Sequence, residues 1–353
     1  MSSDSRIPAQ SEGNRLDPWH SFYAARANNL RQSEIRALFS VVARPEVVSL
    51  AGGMPNLKDL PIPALAEAAK DLILKHGPQA MQYGNGQGWA PLQESITEVM
   101  TYDGIIGADP DDVVITTGSQ QAVDLITGIF VDPGDVILAE SPTYVGSLGV
   151  FNSYQADVIH VDMDDDGLIP EALEEMITRV RKDGKTIKFL YTIPNYHNPA
   201  GVTLTEERRP RIVEICQREG ILIVEDNPYG LLGFDEDPRP ALRSYWPEGV
   251  VYLGSFSKMF APGFRIGWAL APHAIRDKLV LMSEAAILSP SMIGQMAIHG
   301  YLTQFDWYSQ VKQFRSMYRE RRDAMLGALE QYLPDLTWTK PTGGFYTWGT
   351  LPE

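Results

Sequence analysis

"GVVYLGSFSKMFAPGFRIG", residues 249–267, sets an apolar β-branched run against a turn-rich segment that holds one lysine, Lys258, and then a guanidinium, Arg265. The run Val250-Val251-Tyr252-Leu253 predicts a buried strand, and the small residues after it leave Lys258 at that strand's end. Four more stretches share the pattern: "DVVITT" (112–117), "GDVILAE" (134–140), "KFLYTIP" (188–194) and "ILIVED" (221–226). Between several of them lie longer segments with helical periodicity, such as Val123, Ile126 and Phe130, or Ile212, Ile215 and Cys216. Alternation at this pace predicts an α/β fold, a mostly parallel sheet with helices on both faces. In such sheets ligands gather at the carboxyl ends of the strands, where loops meet helix N-termini.

Composition narrows what such a sheet could serve. A chain of 353 residues, 44% hydrophobic, can bury a sizeable core, and its length suggests about two domains. Its net charge of −15 disfavours nucleic acid or an anionic membrane as a general partner, so any anion must be bound locally. The apolar runs fall short of the ~20 residues of a membrane span, and the polar start MSSDSRIPAQSEGNR has no signal-peptide core; a cytoplasmic protein is expected. The one cysteine, Cys216, excludes an internal disulfide, and its spacing with Ile212 and Ile215 predicts inert helix packing. No metal is expected.

Residues 1–60 read as an arginine-rich arm (Arg15, Arg26, Arg31, Arg36) and part of a smaller α/β domain, and residues 61–289 as the large domain. Residues 290–353 show longer helical patterns and then "TWTKPTGGFYTWGTLPE", the start of the rest of the small domain.

Each strand end carries polar residues that have a bland reading when taken alone. "TTGSQQAVDLI" passes from a strand through Gly118, Ser119 and Gln120 into an amphipathic helix, where free N–H groups and the helix dipole suit a phosphate; a plain serine cap is the alternative. "ILIVEDNPYG" ends in Asp226, followed by Tyr229. A carboxylate there is costly to dehydrate without a cation or several donors, unless it simply caps an Asp-Asn-Pro turn. "IPNYHNPAG" supplies Asn198 in a loop, with His197 as filling beside it, and "ESPTYVG" supplies Tyr144, which could stack on a flat ring or pack as core. No triphosphate-binding GxxxxGK[ST] loop occurs, nor a dinucleotide glycine fingerprint.

Together these residues acquire one chemical meaning. An amine among small residues, near a phosphate site and an aspartate, has the room and the partners needed to form an imine with a carbonyl cofactor. Pyridoxal 5′-phosphate joins an aldehyde, a phosphate, a phenolic oxygen and a basic ring nitrogen, and each group has a candidate. Asp226 would pair with the protonated ring nitrogen, Tyr229 and Asn198 would bond the phenolic oxygen, and Tyr144 would stack on the ring. Gly118, Ser119, Gln120, Ser255, Ser257 and Arg265 would hold the phosphate, the arginine by a two-pronged pair.

At S-x-S-K followed by P-G-x-R-x-G, at D-x-x-Y, at N-P-x-G and at T-G-S-Q-Q-A, the sequence resembles the fold-type I pyridoxal-phosphate enzymes, specifically the class I/II aminotransferases, over roughly residues 30 to 350. "VVSLAGGMPN", "MQYGNGQGWAPLQESI" and "ITTGSQQAVDLI" are similar to segments of the group that acts on 2-aminoadipate, kynurenine and branched-chain or aromatic amino acids. The resemblance implies a seven-stranded-type sheet, a homodimer with shared active sites, and ping-pong transfer of an amino group from an L-amino acid to a 2-oxo acid. It makes Lys258 the Schiff-base lysine, places Gly52 and Gly53 beside the substrate, and has Tyr83 reach a partner's phosphate. Family members continue to an arginine that binds the substrate's α-carboxylate, whereas this sequence stops at Glu353. A clipped chain or a natural fragment is therefore expected, with Arg36 the arm arginine nominated for a substrate carboxylate. Two alternatives stand beside transamination. One is a lyase of β-lyase type on the same scaffold. The other is a non-catalytic effector-binding domain of a regulator, which would need a winged-helix module longer than the roughly thirty residues ahead of the match.

Overall fold

A computed structural model describes residues 17–29, 44, 46–50 and 52–352. One sheet contains β1 (Val113–Thr116), β2 (Val136–Ser141), β3 (Asp157–Asp164), β4 (Gly167–Leu168), β5 (Ile187–Thr192), β6 (Leu222–Asp226), β7 (Val250–Ser255) and β8 (Gly267–Leu270). Their spatial order is β1-β8-β7-β6-β5-β2-β3-β4. Strands β7, β6, β5, β2 and β3 pair in parallel, while β8 runs antiparallel to both of its neighbours. The expected seven strands become eight because the two-residue β4 folds back on β3 at the sheet's edge. The five runs expected as strands are β1, β2, β5, β6 and β7.

Alternation along each strand divides the apolar side chains between two faces. Val114, Ile137, Ala139, Phe189, Val224, Val251 and Ala269 share a core with the inward face of α1 (Ser119–Phe130), with Phe151 of α2 (Val145–Ser153) and with Leu279 of α3 (His273–Ile287). Their strand neighbours point the other way. Val136, Leu138, Leu190, Ile223 and Val250 pack on α4 (Pro170–Lys182) and α5 (Arg208–Glu219). Val113, Ile115, Tyr252, Trp268 and Leu270 pack on α6 (Ala90–Met100) and α7 (Trp307–Tyr332). Each fully buried branched side chain contributes roughly 1.5–3 kcal/mol relative to exposure, so a sheet covered on both faces is a rigid base for what projects from its edge. Cys216 lies in the second of these cores with its thiol pushed up to about 12 by burial, which suits the packing role expected of it.

The arm and the C-terminal segment meet across the molecule. Asn56 donates its backbone N–H to the Tyr318 hydroxyl at 2.8 Å, and the hairpin of β9 (Thr337–Trp338) and β10 (Gly349–Thr350) is tied to the Asn198 loop by Thr339 Oγ1, which donates to Ala200 O at 2.7 Å. Among the described residues, no helix is long and apolar enough to cross a membrane.

Candidate functional site

Five parallel strands and one antiparallel strand deliver their residues to a single edge. The carboxyl ends of β1, β2, β5, β6 and β7 all point there. Because β8 runs the opposite way, its amino end does too, which brings Arg265 to the same place. A cavity of about 190 Å³ opens at this edge, lined by Gly52, Ser119, Gln120, Tyr144, Asn198, Asp226, Tyr229, Ser255, Ser257, Lys258 and Arg265, with Ile193, Pro228, Pro262 and Tyr346 completing the wall.

The anion-receptive end follows from local backbone. Gly118 adopts φ +77° ahead of α1, so the first N–H groups of a twelve-residue helix face the cavity without an internal partner. A Cβ at Gly118 would stand 2.6 Å from Arg265 Nη2, and one at Gly267 would stand 2.7 Å from both the Gly118 carbonyl carbon and Ser119 N. Glycine is what lets these segments approach. Arg265 Nη2 donates to Thr117 O at 3.0 Å, which anchors the guanidinium beside the helix start. Ser255 Oγ accepts from Ser257 N at 3.1 Å and donates to Ser257 Oγ at 2.9 Å. Gln120 Nε2 reaches Gly146 O at 2.8 Å and so ties this helix to the loop carrying Tyr144. The Tyr144 ring lies so close to Gly146 that a Cβ there would come within 2.3 Å of Cζ.

At the opposite wall, strand alternation sends the two carboxylates of "VED" to different faces. Glu225 turns inward and accepts from Leu242 N at 2.9 Å and Arg243 N at 3.0 Å, and burial lifts its carboxyl to about 7. Asp226 turns toward the cavity. Its Oδ2 accepts from the Tyr191 hydroxyl at 2.8 Å, while its Oδ1 is buried and has no hydrogen-bond partner among the described residues. Burial pushes this carboxyl up to about 6, opposed by the Tyr191 hydrogen bond and by Lys258.

Lys258 is half-buried, and Nζ donates to Gly53 O at 2.9 Å. Burial lowers its pKa, the Arg265 charge lowers it further, and Asp226 acts in the other direction. Tyr229 is buried, with its phenol held well above the usual range by burial and then by the neighbouring Tyr346. The two rings meet edge to face, with centroids 5.9 Å apart.

These groups fit pyridoxal phosphate. An orphaned buried carboxylate oxygen calls for a cationic donor, which a protonated ring nitrogen supplies. The glycine-opened helix start with Arg265 suits a phosphate, and a depressed amine suits imine chemistry with an aldehyde. Among the described residues no group of three or more His, Cys, Asp or Glu is placed to hold a metal ion.

Of the residues nominated from sequence, Gly118 and Gly53 shape the cavity from just behind its lining. Tyr83 does not reach it. That residue is 78% exposed and lies at a separate opening with Ser289 and Ile293. Arg36 falls outside the described residues. His197 is buried with Nε2 3.0 Å from Glu140 Oε2, beneath the Asn198 loop, the filling position expected for it. Tyr346 and Tyr191 were not nominated. Their only sequence signal is aromatic content in apolar runs, which reads as core.

Residues 45–353 match the sequence model of the family described as aminotransferase class I and II. The aromatic-amino-acid aminotransferase 1 of Thermococcus litoralis is 40% identical over 100% of this chain and 85% of its own length. The 2-aminoadipate transaminase of Thermus thermophilus is 35% identical over 95% of this chain and 83% of its own. Among solved structures, the kynurenine aminotransferase of Pyrococcus horikoshii in complex with PMP superposes with a TM-score of 0.90 at 37% identity, covering 96% of this chain and 84% of that one.

Proposed function

The chain belongs to the class I and II aminotransferases, pyridoxal-phosphate-dependent transaminases, and we propose that it moves the amino group of an aromatic, branched-chain or 2-aminoadipate-like L-amino acid to a 2-oxo acid, with Lys258 as its catalytic amine. One observation carries this reading: a half-buried lysine of lowered pKa and a buried carboxylate with an unpaired oxygen line the same cavity as a helix start and an arginine. When bound, the cofactor supplies an electron sink that stabilises negative charge at the substrate's Cα.

The chain's own residues supply the rest. Asp226 Oδ1 would accept from the ring nitrogen and keep it protonated. Tyr229 and Asn198 would bond the phenolic oxygen, and Tyr144 would stack on the ring. Gly118, Ser119, Gln120, Ser255, Ser257 and Arg265 would bind the phosphate. Lys258 Nζ, its pKa lowered by burial, would act as the general base toward the proton on the substrate's Cα and as the acid that gives it back; catalysis of this kind is worth about 10²–10⁴-fold. Gly52 lines the cavity and Gly53 packs against Tyr346 behind it, so this glycine pair would border the substrate.

The protein works as a homodimer in this reading, with the exposed Tyr83 reaching the partner's phosphate. It is cytoplasmic; one buried, inert cysteine suits a reducing compartment.

The test is reconstitution with pyridoxal phosphate, then a panel of L-amino acids assayed with and without 2-oxoglutarate. Transfer that needs the 2-oxo acid and is best with aromatic or 2-aminoadipate-like donors supports the proposal. Ammonia and 2-oxo acid released together over many turnovers without an acceptor would instead establish the lyase reading, and a protein that stays colourless would overturn both.

A further inference from the structure

Tyr191 is not among the residues that line the cavity, and its hydroxyl meets the site through Asp226. It is fully buried at the end of β5, on the strand next to Asp226 in β6. Its hydroxyl donates to Asp226 Oδ2 at 2.8 Å and accepts from Ser147 Oγ at 2.8 Å. The direction is dictated by chemistry: an ionised carboxylate can only accept, so the phenol's single proton goes to Asp226 and Ser147 fills the phenol's acceptor side. All three groups are buried, so water does not replace a lost partner readily, and the chain links α2, β5 and β6 in one line.

This arrangement divides the labour of the two carboxylate oxygens. Oδ2 is taken by Tyr191, and Oδ1 is left as the unpaired acceptor on the cavity side. We propose that Tyr191, backed by Ser147, is a positioning residue for the cofactor's ring nitrogen: it locks the Asp226 carboxylate in one orientation and holds it as an anion, so that Oδ1 can accept from the protonated heterocycle. The inference rests on the ring-nitrogen role given to Asp226 above. Burial alone drives the Asp226 carboxyl toward its neutral form, and the Tyr191 hydrogen bond is the largest opposing influence within the chain. Without it, the acid would hold its own proton and would be a poor partner for a cation. The phenol does not titrate in the working range, because burial and the adjacent Asp226 hold it well above its usual value. It therefore remains a donor across the pH range of activity.

The experiment compares two cofactors on wild type, Tyr191→Phe, Ser147→Ala and Asp226→Asn: pyridoxal phosphate, and its analogue with carbon in place of the ring nitrogen. Dissociation constants are read by visible absorbance, with circular dichroism as the check on folding. In wild type the natural cofactor binds more tightly than the analogue, and Asp226→Asn abolishes that preference. Tyr191→Phe is expected to lower it about tenfold, the scale of a hydrogen bond to a charged group, with little change in affinity for the analogue. Ser147→Ala keeps the phenol and is expected to act in the same sense but less. It also decides the matter if Tyr191→Phe does not fold: an unchanged preference in Ser147→Ala then overturns the proposal. Equal weakening of both ligands in Tyr191→Phe would overturn it too, by showing a merely structural residue. If Asp226→Asn leaves the preference intact, the fault lies with the role assigned to Asp226 itself, a result distinct from failure of Tyr191. A ¹³C-carboxyl titration of the cofactor-free protein adds a readout free of ligand: the resonance lost in Asp226→Asn should titrate at higher pH in Tyr191→Phe, and an unmoved titration counts against the proposal.

Discussion

Lys258 Nζ and Gly53 O are joined by a 2.9 Å hydrogen bond across 205 positions of sequence. The bond ties the reactive strand end to the arm. Gly53 can make it because its φ of +53° turns the carbonyl toward the amine, a conformation that L side chains rarely adopt. The same glycine lies flat against Tyr346, where a Cβ would come within 2.0 Å of the phenol oxygen.

Gly53→Ala is therefore expected to displace Tyr346 and pull the carbonyl away from Lys258. The overpacking should cost about 1–3 kcal/mol of stability, read as a lower denaturant midpoint, and kcat/KM should fall with it. Adding Tyr346→Phe removes the nearest clash and should recover part of the loss. A Gly53→Ala enzyme with unaltered kinetics would show that the close approach has no part in catalysis.

Lys258→Ala should bind the cofactor without forming the visible band that depends on a lysine imine, and amino transfer should fall by about a thousandfold or more, as expected when a general acid–base is removed. Added methylamine should return part of the rate, because the remaining wall is unchanged. Full activity in the alanine variant would remove Lys258 from the mechanism.

Gly118→Ala probes the phosphate end. The added Cβ would face Arg265 Nη2 at 2.6 Å in a backbone of φ +77°, so the guanidinium and the helix start must part. Affinity for pyridoxal phosphate should drop about tenfold or more, the scale of one lost charge-assisted contact. Affinity for pyridoxal, which has no phosphate, should hardly move. Equal losses for both ligands would place the phosphate elsewhere.

The strand ends were legible in sequence because each couples a β-branched run to an abrupt polar turn, and eleven of the nominated residues line one cavity. What stayed hidden depends on long-range geometry. Strand β3 reads "DVIHVDMD", too polar to announce itself, because it lies near the sheet's edge and is only half-buried. Strand β8 is four residues long, yet its reversed direction is what carries Arg265 to the site. Tyr191 and Tyr346 give only an apolar signal locally; what links them to the site is that their hydroxyls meet Asp226 and Tyr229, contacts that no spacing rule foretells. Tyr83 shows the converse, a residue singled out by resemblance that the single chain leaves exposed.

Asp226 also makes a prediction in pH. Its carboxyl titrates near about 6 in the folded chain against an ordinary 3.8, because burial penalises the anion. The folded protein therefore holds this proton more tightly than the unfolded chain does. The group's contribution to stability is fully present below about 3.8 and is lost as pH rises through about 6, a change of about 3 kcal/mol by linkage. Asp103 and Glu225 are raised in the same direction by burial, so the effect must be isolated by difference. Cofactor-free wild type minus cofactor-free Asp226→Asn, followed by urea midpoints from pH 4 to 7.5, should fall across that window. With pyridoxal phosphate bound, the cationic ring nitrogen offsets the buried charge, and the fall should shrink or reverse. A difference that stays flat with pH in the cofactor-free proteins would mean that this carboxylate is solvated or already paired, and the ring-nitrogen role would lose its physical basis.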